Sequence, residues 1–182
     1  MWSFAQSTGA SISIDRARRS SSEHNRSVDR RITATVEADP SVTIAALADL
    51  ATYPHWLTLV SAAEPVDPGE GVGAGITGEP PTWNVTIKAQ LGPLARSKRL
   101  RMTRTDLDEA RVKFERAEID GRRHAEWILE AFVVPSSTTE GGSDVLVHLY
   151  YGGALWSTPL EMVLATFEGT AGARLDKYLR TH

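Results

Sequence analysis

No cysteine occurs among the 182 residues. That absence removes disulfides, thiolate zinc sites and cysteine nucleophiles together. No stretch approaches the roughly 18 uninterrupted apolar residues that a membrane-spanning helix needs. The compact apolar segment of a secretory signal is missing near the N-terminus, and a cysteine-free chain suits a reducing compartment, so a cytoplasmic protein is expected. Histidine is scarce: His24, His55, His124, His148 and His182 are the five, none spaced with acids as metal ligands are. No metal and no cofactor is therefore expected. No G-x-S-x-G turn presents a serine nucleophile. Net charge is only −3, unevenly spread: residues 1–31 carry +3 and residues 32–182 carry −6. An acidic body argues against broad nucleic-acid binding.

What is present is one domain and an extension. Residues 1–30 are Ser/Arg-rich, with too few apolar groups to offset the entropy of ordering, and are expected to be mostly disordered. Residues 31–182 form the domain; at about 150 residues such a chain buries roughly 70% of its unfolded surface, enough for a core without staples.

From Ile32 the pattern is that of strands. Ile32, Ala34, Val36 and Ala38 alternate with polar residues. Asp39-Pro40 reads as an N-cap followed by a first-turn proline, and Val42, Ala45, Ala46 and Leu50 recur at helical spacing. Tyr53-Pro54 is expected to break that helix, with a short second one around residues 55–59. A short strand over 60–66 and a glycine-rich loop follow. Within the loop Gly73, Gly75 and Gly78 match G-x-G-x-x-G, but Pro80-Pro81 comes next instead of a helix, so no helix N-terminus receives a pyrophosphate. The loop is read as a gate at a cavity mouth. Five strands then carry Trp83/Val85/Ile87/Ala89, Leu100/Met102, Val112/Phe114, Trp127/Leu129/Ala131/Val133 and Val145/Val147/Leu149/Tyr151 on one face, with hairpin-length turns between them. Thr158-Pro159-Leu160-Glu161 reads as a capping box. It opens one amphipathic helix from Pro159 to about Arg180, some 30 Å long.

Strand, two short helices, six strands and a long closing helix is an order that resembles the START-like superfamily, also called SRPBCC or polyketide cyclase/dehydrase-like proteins. The residues that carry the likeness are Val36-Glu-Ala-Asp-Pro40 and Ala48-Asp-Leu-Ala-Thr-Tyr-Pro54-His-Trp56, with Gly71-Val-Gly73 before a strand and the capped last helix. The segments 91–101 and 151–156 are similar to an actinobacterial branch. The resemblance covers about residues 31–180. It implies an α+β helix-grip fold: a curved antiparallel sheet of six to seven strands around a C-terminal helix.

A bent sheet that grips a helix without filling the gap leaves an apolar cavity. Its expected lining is Trp56, Trp83, Val85, Ile87, Leu100, Met102, Phe114, Trp127, Leu129, Val147, Leu149, Tyr151, Trp156, Leu164 and Phe167. Candidate polar groups are fewer. His148 and Tyr150 fall on the outer face if Val147 and Leu149 point inward; a shift of one residue would bring both inside. Lys98, Arg104 and Arg116 share the inward parity, either snorkelling at the rim or anchoring a ligand carboxylate. Arg99, Arg101, Arg111 and Lys113 form a solvated outer band with Glu115, Glu126 and Glu130.

Three functions fit. The first is binding of a small hydrophobic ligand, lipid-like or polyaromatic, for transport, storage or sensing; no acid–base pair stands out, which favours it. The second, which the resemblance permits, is a cyclase or aromatase using His148, Tyr150 or Arg104. The third is a protein-interaction module using the groove. Oligomeric state is not legible.

Overall fold

A computed structural model describes residues 27–67, 78–91, 94–167 and 169–182, with backbone alone at residues 90, 91, 94, 95, 166 and 167. The expected disordered tail, the glycine-rich gate and the Gly71-Val-Gly73 motif lie largely outside these residues.

Seven strands form one antiparallel sheet: β1 (Val28–Val36), β2 (Val60–Pro65), β3 (Thr82–Leu91), β4 (Leu94–Leu107), β5 (Arg111–Arg116), β6 (Trp127–Pro135) and β7 (Ser143–Tyr151), in the order β1-β7-β6-β5-β4-β3-β2. Strands β2 to β7 are a meander, and β1 returns to pair with β7 from Val28↔Tyr151 to Val36↔Ser143. β1 thus opens at Val28, a little ahead of the boundary read from the sequence. The alternation holds on β1 and on β3 to β7: Ile32, Val85, Ile87, Leu100, Val112, Leu129, Val133, Val145 and Leu149 are all buried in one core. Connections obey local chemistry. The β5–β6 loop turns at Asp120-Gly121, where Gly121 adopts φ 70° and the Asp120 carboxylate accepts the N–H of Arg122 at 3.1 Å; a glycine takes that left-handed backbone at no steric cost.

Between β1 and β2 lie α1 (Pro40–Leu47), a 3-10 turn (Leu50–Thr52) and α2 (Tyr53–Trp56). Asp39 caps α1 through the N–H of Ser41, as expected. The buried face of α1, however, is Thr43, Ile44 and Leu47, whereas Val42 is 51% exposed; the expected stripe was a residue or two out of phase because short Ala-rich helices carry weak periodicity. Pro54 opens α2 instead of breaking a helix, as its fixed φ and missing N–H permit at a first turn.

The C-terminal segment corrects a further expectation. Two helices, α3 (Ser157–Phe167) and α4 (Ala171–Thr181), replace one continuous rod. Thr158 is not the cap: the first helical bond runs from the N–H of Leu160 to the carbonyl of Trp156 at 2.9 Å, so Thr158 and Pro159 lie within the first turn. Leu160, Val163, Leu164, Ala171, Leu175 and Leu179 share the sheet's core, which places both helices on its concave side. A Cβ on Gly172 would stand 2.8 Å from the Ala34 Cβ of β1, so the glycine lets α4 lie close on that strand.

Candidate functional site

Packing on the concave side is uneven. Near the helical pair it is tight. Tyr53 and Trp56 rings lie 4.7 Å apart, Tyr53 and Phe114 are edge-on at 6.2 Å, and Trp83 and Phe114 are edge-on at 5.6 Å. The Trp83 indole donates to Asp49 at 3.1 Å. The Tyr53 hydroxyl donates to the Leu47 carbonyl at 3.0 Å, and burial pushes its pKa far above the ordinary phenol value. Trp56, Trp83 and Phe114, expected to line a cavity, instead fill this corner.

Beyond it a wholly apolar cavity of about 30 Å³ remains, lined by Leu50, Leu57, Leu59, Val60, Val85, Ile87, Leu100, Met102, Trp127, Leu129 and Leu149. Seven of these belong to the expected set. The four that do not come from the 3-10 turn and the chain from α2 into β2; the apolar run at Leu57, Leu59 and Val60 was the available signal. Val147, Tyr151, Leu164 and half-buried Trp156 pack in or against the core without lining the cavity; of Phe167 only the backbone is described. Such a volume has room for a few waters at most, so any larger guest requires side chains to move, and Met102 is the most adaptable of them.

Among the described residues three buried side-chain polar atoms lack a partner. Trp127 is 4% exposed, and its indole N–H has no hydrogen-bond partner; the same is true of Trp56 Nε1 and Thr58 Oγ1. Trp127 packs on Tyr151 with ring centroids 4.9 Å apart. The Tyr151 hydroxyl accepts the backbone N–H of Trp156, and its pKa is raised, chiefly by burial. Gly153 makes this arrangement possible: a Cβ there would fall on the Tyr151 hydroxyl.

The catalytic candidates are placed elsewhere. His148 stands on the outer face, its Nε2 2.9 Å from an Asp29 carboxylate oxygen, paired in register with Glu130. Tyr150 shares that face, since Leu149 and Tyr151 point inward. Arg104 does turn inward, beside a bulge at Thr105, but its guanidinium donates to the Ala48 carbonyl at the end of α1, 2.9 Å away. It closes a helix terminus, a structural task. His124 bonds Asp120 at 2.8 Å within the β5–β6 loop. The outer basic band is neutralised by ion pairs such as Lys113–Glu115 at 2.7 Å and Arg111–Asp106 at 3.0 Å. Among the described residues no group of three or more His, Asp or Glu could hold a metal ion.

This curled seven-stranded sheet with its C-terminal helical segment is similar to solved structures. A Thermus thermophilus protein matches with a TM-score of 0.60 at 15% identity, over 85% of this chain and 98% of its own. A START superfamily protein from Mycobacterium smegmatis matches with a TM-score of 0.58 at 12% identity, over 85% and 97%. This is the START-like helix-grip fold. The di-domain ARO/CYC StfQ from the steffimycin biosynthetic pathway has it too, with a TM-score of 0.56 at 11% identity over 91% of this chain and 54% of its own. No family model and no curated protein matches the sequence. In this chain the apolar cavity lies between the sheet and the Leu50–Val60 segment, with no lining residue from α3 or α4.

Proposed function

We propose that this protein binds a small hydrophobic ligand, lipid-like or polyaromatic, on the concave side of its sheet. The observation that carries the reading is the cavity itself, whose wall is apolar throughout; beside it, the indole N–H of Trp127, one of the lining residues, is buried with no protein acceptor. Leaving such a donor unpaired costs about 1–3 kcal/mol. A guest with an apolar body and one acceptor would offset that cost, as small-molecule sites commonly do.

A cyclase or aromatase working in the same space is the second reading, and StfQ gives it a fold-level parallel. It is the weaker one. His148 and Tyr150 stand outside and Arg104 is occupied, so the expected catalytic groups do not meet the cavity.

The test is a thermal-shift panel of lipids and polyaromatics, with native mass spectrometry of the freshly purified protein. A ligand at 100 times its Kd stabilises by about 2.7 kcal/mol, a rise of roughly 5–10 °C for a domain of this size. Leu129→Phe, which fills the cavity, should abolish the shift. No shift with any ligand and no co-purifying adduct would refute the proposal.

A further inference from the structure

One end of the cavity is built differently from the rest. Lys98 faces inward on β4, two residues before Leu100 and opposite Ile87 in register; both neighbours line the cavity. Across the concave face, Tyr151 lies two residues beyond Leu149 and opposite Trp127, which also line it. The Lys98 ammonium sits 5.6 Å from the centre of the Tyr151 ring. β5 and β6 lie between β4 and β7 in the sheet, so the two side chains meet across the curl and mark this end of the cavity.

Arg116, two residues beyond Phe114 at the end of β5, is the third member, with a side chain only 6% exposed. Its Nε donates to Glu118 Oε1 at 2.9 Å and its Nη1 to the Ala125 carbonyl at 3.3 Å. The same Glu118 oxygen also accepts the backbone N–H of Arg101 at 3.3 Å. Two cations therefore share one carboxylate that is already engaged twice. Burial first, and then the neighbouring Arg116, hold the Lys98 ammonium below the ordinary lysine range, while Glu118 opposes them.

The Trp127 indole N–H is buried without an acceptor, Arg116 directs Nε and Nη1 to protein acceptors, and the Lys98 ammonium faces the Tyr151 ring. Snorkelling would account for a lysine reaching outward from an apolar wall. It does not account for a half-buried ammonium beside a nearly buried guanidinium, where like charges repel and desolvation is costly. Net positive charge and an apolar cavity beside it are complementary to an oxygen-bearing anion with an apolar body.

Resting on the reading that the cavity takes a hydrophobic guest, we infer that the guest is an anionic amphiphile, a carboxylate or other oxyanion joined to an apolar body. Its oxygens lie at Lys98 and Arg116, and its body packs against Trp127, Leu100 and Leu149. Lys98 sets this specificity more than Arg116 does, because Arg116 already spends Nε and Nη1 on protein acceptors.

The experiment uses two probes with the same fluorescent ring system, anilinonaphthalene sulfonate and the uncharged phenylnaphthylamine, titrated into the full chain. The sulfonate is expected to bind about tenfold tighter or better. Lys98→Met should weaken the sulfonate about tenfold and leave the neutral probe within about twofold; tenfold corresponds to about 1.4 kcal/mol, near the low end for a hydrogen bond to a charged group. Arg116→Gln should lower sulfonate affinity further, and Lys98→Met carries the test alone if that variant does not fold. Equal affinities for the two probes would overturn the anionic head and leave the cavity proposal standing. A sulfonate preference untouched by Lys98→Met would overturn its placement. Failure of both probes to bind would refute the underlying reading too.

Discussion

Trp127 shows how a single atom can act in opposite directions on stability and on binding. Its indole N–H is buried without a partner, while its ring packs on Tyr151 and lines the cavity. Trp127→Phe keeps most of the ring contact and deletes the orphan donor. Its urea-unfolding stability without added ligand should be unchanged or higher by up to about 1 kcal/mol, the relief of the unpaired group offsetting the lost ring volume. The ligand-induced thermal shift should fall in the same variant. Destabilisation beyond about 2 kcal/mol would mean that the N–H has a protein partner after all. At this scale the sequence was informative about facing and poor about filling. Alternation placed Trp83, Phe114, Trp127 and Tyr151 inward correctly. Whether an inward aromatic lines a cavity or plugs it depends on how closely the helical pair approaches, which period-two patterning does not encode. His148 was ambiguous because Tyr150 and Tyr151 suit either register; pairing with Asp29 puts it outside.

Among elements, the split between α3 and α4 is the largest departure from the sequence-based expectation. The apolar stripe runs through both helices, so it reads as one rod. Two glycines at Gly169 and Gly172 were visible there, but glycine lowers helix stability without saying where a break falls. Their surroundings differ. A Cβ on Gly169 would meet nothing within 4 Å, whereas one on Gly172 would press on Ala34 of β1 at 2.8 Å. Gly169→Ala should therefore stabilise by about 0.5–1 kcal/mol through reduced freedom of the unfolded chain. Gly172→Ala should destabilise by about 1–3 kcal/mol as α4 is lifted off β1, despite the better helix former. Chemical denaturation of the two single variants decides the matter; equal effects would show that α4 is free to slide. The N-cap at Asp39 was legible because it is a local device, two adjacent residues and one hydrogen bond. The buried face of α1 was not, because neighbouring elements choose it.

On the scale of the molecule, helices and sheet share one core: Leu160, Leu164, Leu175 and Leu179 are buried with the inward residues of every long strand. A chain ending at Trp156 would expose that face to water, about 25 cal/mol for each Å² of apolar surface uncovered. It should show no cooperative thermal transition by circular dichroism; a sharp one would mean that the curled sheet is stable unaided. Overall architecture was the most legible property of the sequence, since strand number, turn spacing and a closing amphipathic stretch are repeated signals that tolerate single errors.

The pairing of β1 with β7 has a consequence for how the protein is made. Thr35 bonds Asp144, 109 positions later in the chain, and β1 has no other strand neighbour. At about 5–20 residues per second a ribosome needs roughly 5–20 s to deliver that partner. Throughout that interval the apolar side of β1 is newly emerged and unmatched, and so exposed to whatever else is nearby. The sheet can zip from β2 through β7 as it appears, but its first strand is the last to find its place. Completion of the sheet thus waits for β7 to emerge, and a ribosome stalled before it would hold a nascent chain with an open, sticky edge.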